Sequence, residues 1–123
     1  MTFRIIDERE RAEVVIKQLK KTGRFDSKRH SILQPIPIDS ADLIIQTIIS
    51  ERPDFVVLGF NLGHSMFNGC HLALSINRCS HSYIIANCED PNEFSDVKFI
   101  VDKIVRHNTQ ELVQALESLI PCF

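Results

Sequence analysis

The most constraining feature of this sequence is Phe55-Val56-Val57-Leu58, an unbroken apolar run set between Pro53-Asp54 and Gly59. It has strand length and shows no polar position on either alternation. A strand built from it must therefore be covered on both faces. Such a strand belongs at the centre of a parallel sheet with helices above and below it.

The remaining residues supply those helices and further strands. Residues 2–6 form a short apolar run, read as a first strand, and 7–21 follow helical spacing with Ala12, Val15, Ile16 and Leu19 on one face. Residues 31–38 are a second strand, weakened by Pro35 and Pro37. Proline cannot donate to a ladder, which places this strand at an edge or leaves it frayed. Asp39-Ser40-Ala41-Asp42 signals the start of a helix that stops near Arg52-Pro53. After the central run, 61–69 read as a loop and 70–78 as a helix. Residues 82–86 are a fourth strand and 87–91 a polar turn. The stretch 92–105 fits either a short helix and a strand over 98–105, or a longer helix and a very short strand near Ile104. Residues 109–120 form the clearest helix, capped by Asn108 or Thr109 and ended by Pro121.

Five strands alternating with about five helices make the expected fold α/β. The layout is a flavodoxin-like, doubly wound, five-stranded parallel sheet with helices on both faces, in a single domain over 1–123. No repeat, linker or low-complexity tract interrupts it.

Composition narrows the function classes. With 44% hydrophobic and 24% charged residues the chain is globular in character, and its net charge of −2 is unlike a nucleic-acid surface. The densest basic cluster, Lys20, Lys21, Arg24, Lys28 and Arg29, reads as the solvated end of a helix and its loop. No apolar run reaches the roughly 20 residues a membrane span needs, and the charged start is unlike a secretion signal. A cytoplasmic location is expected. Of Cys70, Cys79, Cys88 and Cys122, none forms a C-x-x-C pair, so reduced, largely buried thiols are expected. Cys79, beside Arg78, is the candidate for an accessible thiol.

In this layout ligand chemistry belongs at the carboxyl ends of the strands. The positions there are Asp7 and Glu8, Gly59, 86–88 and 105–107. Those positions carry a resemblance. Arg4-Ile5-Ile6-Asp7-Glu8 is similar to the opening of a response-regulator receiver domain, an apolar strand ending in paired acids. Pro53-Asp54, the central apolar strand and Asn61-Leu62 resemble that family's central segment. Asn68-Gly69 matches its usual Asp-Gly, and residues 109–116 resemble its last helix. The resemblance covers essentially the whole chain and is most specific over 52–69.

The resemblance implies a phosphorylation site, and this sequence departs from it. A working receiver holds magnesium with two acids and an acceptor aspartate, whose carboxylate attacks the phosphoryl group. A Ser or Thr after the fourth strand and a lysine after the fifth stabilise the transferred charge. Here Asp7 and Glu8 remain as an acidic pair, which a helix dipole alone would also favour. The acceptor position falls on Gly59, the Ser/Thr position on Ala86 and the lysine position on Val105. A two-residue slip would bring Lys103 there instead. Asp54, about 16 Å away at strand rise, cannot replace the acceptor.

The expected function is a pseudo-receiver: an interaction module in signal transduction or transcriptional control that works without phosphorylation. It would have no enzymatic activity, no cofactor and no metal. Its partner would be a protein or an effector domain, or a second copy in a homodimer, with no direct contact to nucleic acid or membrane. The resemblance puts the interaction face on the fourth and fifth strands and the last two helices. It offers Tyr83, Asp90, Asp102, Lys103, Arg106 and His107. An alternative is a small-molecule or cofactor binder at the strand ends, corrinoid-like or other. The corrinoid loop Asp-x-His-x-x-Gly is absent, and residues 63–69 are the one candidate for a phosphate-cradling loop. A His64-Ser65 nucleophile pair lacks a third, orienting group.

Overall fold

A computed structural model describes residues 1–23, 28 and 30–119. Strand β1 (Thr2–Ile6) leads into α1 (Arg9–Lys21), and β2 (Ser31–Ile32) precedes α2 (Ala41–Glu51). Strand β3 (Phe55–Gly59) is followed by α3 (Gly69–Cys79), then β4 (Tyr83–Asn87), a 3-10 helix (Pro91–Val97), β5 (Lys103–Val105) and α4 (Thr109–Leu119). The strands form one all-parallel sheet in the order β2-β1-β3-β4-β5. This is the flavodoxin-like arrangement.

The central run behaves as its composition requires. Val56 and Leu58 enter a core beneath Ile44 and Ile48 of α2 and Leu72 and Ile76 of α3. Phe55 and Val57 enter a second core on the opposite face, beneath Val15 and Leu19 of α1 and Leu112 and Leu116 of α4. Strand alternation thus divides one apolar sequence between two layers. Each of these four side chains contributes roughly 1.5–3 kcal/mol by burial. No helix among the described residues is long and apolar enough to cross a membrane.

Three elements differ from expectation. Only Ser31 and Ile32 of the expected 31–38 strand pair with β1; one more bond, Leu33 N–H to Phe3 O, closes the ladder. The prolines stop it there, and it lies at an edge. Strand β4 runs one residue further than expected, to Asn87. The ambiguous stretch contains a 3-10 helix and a three-residue β5 that begins at Lys103. Phe94 and Val97 anchor the 3-10 helix inward at three-residue spacing, the period of a 3-10 helix rather than an α-helix, and Ile100 in the following turn packs against the same core. Asp90 caps it by accepting from Asn92 N–H at 3.0 Å.

Caps set the other boundaries. Ser40 Oγ accepts Leu43 N–H, and Asn68 Oδ1 accepts Cys70 and His71 N–H. Asn108, of the two candidates, caps α4 through Glu111 N–H. The expected stop at Pro121, Cys122, and Arg24 and Arg29 of the basic cluster lie outside the described residues.

Candidate functional site at the strand ends

The register fixes which residues meet at the carboxyl edge. Ile6 pairs with Leu58, Gly59 with Asn87, and Asn87 with Val105. Asp7 follows Ile6 and lies against Gly59. Asp7, Gly59, Asn87 and Val105 therefore form one row, on the α1/α4 side of the sheet.

The row corrects the expectation for Ala86. Ala86 pairs with Leu58 and Ile104 and is buried in the opposite core. Its neighbour Asn87 is the residue beside Gly59. A side chain one position earlier on a strand points to the other face, so the one-residue difference decides the matter. Of the two candidates on β5, Val105 lies in the row. Lys103 pairs with Ile85, one pleat away, and is exposed.

Asp7 dominates the chemistry. It is 3% exposed. Its Oδ1 accepts Glu8 N–H at 2.8 Å and lies 3.7 Å from Arg11 Nε. Its Oδ2 is buried with no hydrogen-bond partner. Burial pushes the carboxyl up to about 6, against the Glu8 amide and Arg11, which favour the ion. A Cβ added to Gly59 would stand 2.4 Å from both Cγ and Oδ1 of Asp7. Glu8, at the start of α1, is half-exposed and paired with Arg11 Nη2 at 3.2 Å. The acids are thus unlike each other: one is buried against the sheet, the other solvated. Arg11 joins them, one turn further along α1.

Asn87 and His107 close the other end. Asn87 Oδ1 accepts His107 N–H at 3.0 Å, and His107 has a left-handed backbone, φ 46°. Partial burial, then Arg11, lowers the His107 pKa. Sequence reasoning missed Arg11, and it placed Asn87 among the strand-end positions 86–88 without giving it a role. Arg11 could have been found by its spacing from Asp7 and Glu8, and Asn87 by continuing the alternation from Ile85.

The expected interaction residues divide. Tyr83 stacks on Phe55 at 5.4 Å and lies at the amino end of β4, away from Gly59. Asp102 Oδ2 accepts Ile84 N–H at 2.8 Å and its own N–H donates to Ile84 O at 2.9 Å, which ties the sheet edge. Asp90 is a helix cap. Lys103, Arg106 and His107 are exposed, with Arg106 N–H donating to Glu111.

Four amides of the 63–69 segment donate to neighbouring residues. Gly63 N–H donates to Asn61, Met66 N–H to His64 Nδ1, Asn68 N–H to His71, and Gly69 N–H to Phe60 O. These four amides are turned to neighbouring side chains and a carbonyl rather than to a phosphate. His64 also stacks on Phe67 at 4.1 Å, an arrangement that serves the loop. Cys70 and Cys88 donate to carbonyls, and burial pushes the Cys88 thiol to about 11. Cys79 is exposed.

No family model matches the chain, and no curated protein matches it. Solved structures do. The signal receiver domain of a modulated diguanylate cyclase from Desulfovibrio desulfuricans G20 is similar at TM-score 0.75 and 17% identity, covering 95% of this chain and 90% of that one. The receiver domain of NtrX from Brucella abortus is similar at TM-score 0.70 and 18% identity, covering 94% and 95%. The N-terminal domain of a response regulator/sensory box/GGDEF protein from Carboxydothermus hydrogenoformans is similar at 0.72 and 16%, covering 96% and 92%. The chain has the fold of receiver domains.

Proposed function

We propose that this chain is a receiver-like regulatory module that engages a protein partner or effector domain without aspartyl phosphorylation. The observation that carries this reading is the contact between Gly59 and Asp7. The Asp7 carboxylate fills the space that a side chain at position 59 would need. Phosphoryl transfer to a receiver requires a carboxylate nucleophile and nearby groups to neutralise the developing charge. In the row, position 59 has no side chain, Val105 is apolar, and the Asn87 oxygen is held by His107.

Function then rests on the surface. Lys103 and Arg106 along β5 and its end, with the largely exposed Phe99 nearby in sequence, offer charge for specificity and an apolar anchor. The module has no chemistry of its own in this reading, and its place is the cytosol.

Incubation with acetyl phosphate and magnesium, followed by intact mass measurement, tests the proposal. The expected result is an unchanged mass and, with beryllofluoride, unchanged amide spectra. An acid-stable chain that gains one phosphoryl group on an aspartate refutes it.

A further inference from the structure

The row at the strand ends has an open side between α1 and α4. A cavity of about 320 Å³ lies there, and Asn87 lines it. Arg11, Val14, Val15 and Gln18, spaced three and four residues apart, turn one face of α1 to it. Val15 and Leu112 of α4 are buried, whereas Val14 is 51% exposed. Together they make an apolar wall, anchored in the fold and partly uncovered. The volume is at the lower end of ligand sites and has room for a single ring.

Asn87 supplies a donor. The residue is 2% exposed, and its Oδ1 accepts His107 N–H at 3.0 Å. That bond fixes the orientation of the amide and leaves NH2 as the free end. Nδ2 has no hydrogen-bond partner among the described residues, yet it is not sealed from solvent as Asp7 Oδ2 is. Gln18 Oε1 accepts Thr109 Oγ–H, so the free polar group of Gln18 is an NH2 as well. A nearly buried donor without an acceptor is costly, and an acceptor on a ligand would remove that cost.

The charges favour a neutral acceptor over an ion. Arg11 pairs with Glu8 and approaches Asp7, so it is not a free cation. Glu10 is the carboxylate that lines the cavity. Burial, then Arg11, lowers the His107 pKa from its ordinary 6.5, which leaves that ring neutral at pH 7.5. A carboxylate would meet no unpaired cation here, and an ammonium would meet donors at Asn87 and Gln18. A neutral carbonyl oxygen suits both.

We propose that this cavity binds a small neutral molecule with an apolar ring and a carbonyl group, whose oxygen accepts a hydrogen bond from Asn87 Nδ2. The wall of Val14, Val15 and Leu112 takes the ring. Asn87 also holds His107 N–H, so occupancy ties the end of β4 to the turn before α4. The inference does not depend on which protein the module engages.

The test uses the full chain, labelled with ¹⁵N, at pH 7.5, and acetophenone as the probe. Ethylbenzene keeps the shape without the oxygen, and benzoate and benzylamine add a charge of either sign. The expected result is saturable shifts with acetophenone at the Asn87 side-chain NH2 and at the amides of Val15 and His107. Ethylbenzene should bind about tenfold more weakly, as expected for loss of a hydrogen bond to a buried donor. Asn87→Asp keeps the acceptor for His107 N–H and removes the NH2; it should weaken acetophenone by a similar factor. Val14→Gln, at an exposed helix position, should weaken it severalfold and serves as a second variant should Asn87→Asp fail to fold. The proposal is overturned by equal binding of ethylbenzene, by unaltered binding in either variant, by tighter binding of benzoate or benzylamine, or by absence of saturable shifts at these groups.

Discussion

A side chain at position 59 and the Asp7 carboxyl group exclude each other at the level of a single carbon atom. A Cβ on Gly59 would lie 2.4 Å from the Asp7 carboxyl carbon and from Oδ1, and 2.6 Å from Oδ2. No atoms of these types approach so closely without moving. The missing side chain at 59 and the buried acid at 7 are therefore one feature of the fold, seen from two strands.

This exclusion is measurable as a coupling. Gly59→Ala alone should destabilise the fold by about 1–3 kcal/mol, the usual cost of overpacking a closed site. In an Asp7→Ala background the same change should cost less than about 0.5 kcal/mol, because the new methyl group then has room. A double-mutant cycle in urea reads the coupling directly. Additive losses would show that Asp7 and position 59 do not share this space.

Asp7 should make stability depend on pH in a particular direction. Its folded pKa of about 6 lies above its ordinary value of 3.8. The folded state thus holds the proton more tightly than the unfolded chain does. The cost of ionising Asp7 is absent below about pH 4, grows between about 4 and 6, and is fully present above that range. Asp7→Asn should gain stability on the order of 2–3 kcal/mol at pH 7.5 and almost none at pH 4. Denaturant curves for both proteins across this range provide the comparison. A gain that is the same at both pH values would mean that charge burial is not the cause.

Asp102 should prove structural rather than recognitional. It closes both hydrogen bonds to Ile84 and so holds the short β5 onto β4. Asp102→Ala should cost about 1–3 kcal/mol through an unpaired buried amide. Hydrogen exchange should quicken at Ile84 and at the β5 amides while β1 and β3 stay protected. Unchanged protection at Ile84 would assign Asp102 back to the surface.

Much of the fold was legible because burial writes itself into spacing. The run at 55–58, the helical faces of α1 and α4, and the prolines after Ser31 and Ile32 each carry a local physical signal. The 3-10 helix was only half legible. The three-residue spacing of Phe94 and Val97, continued by Ile100 in the turn after it, is present in the sequence, but which of them face inward depends on the α3 surface they meet. The site was legible in outline. Asp7, Gly59 and Val105 fall in one row, whereas Ala86 gives way to Asn87 because a strand end extended by one residue reverses the face.

The sequence by itself determined that Phe55-Val56-Val57-Leu58 is a covered central strand and that position 59 carries no side chain, since composition and periodicity are properties of the chain alone. Only the tertiary structure decided that Asp7 fills the space beside Gly59, that Asn87 completes the row, and that Asp7 Oδ2 is left without a donor. Those are facts of register between strands distant in sequence. Register is set by the pairing of β1, β3, β4 and β5 across two cores, which no local stretch of residues encodes.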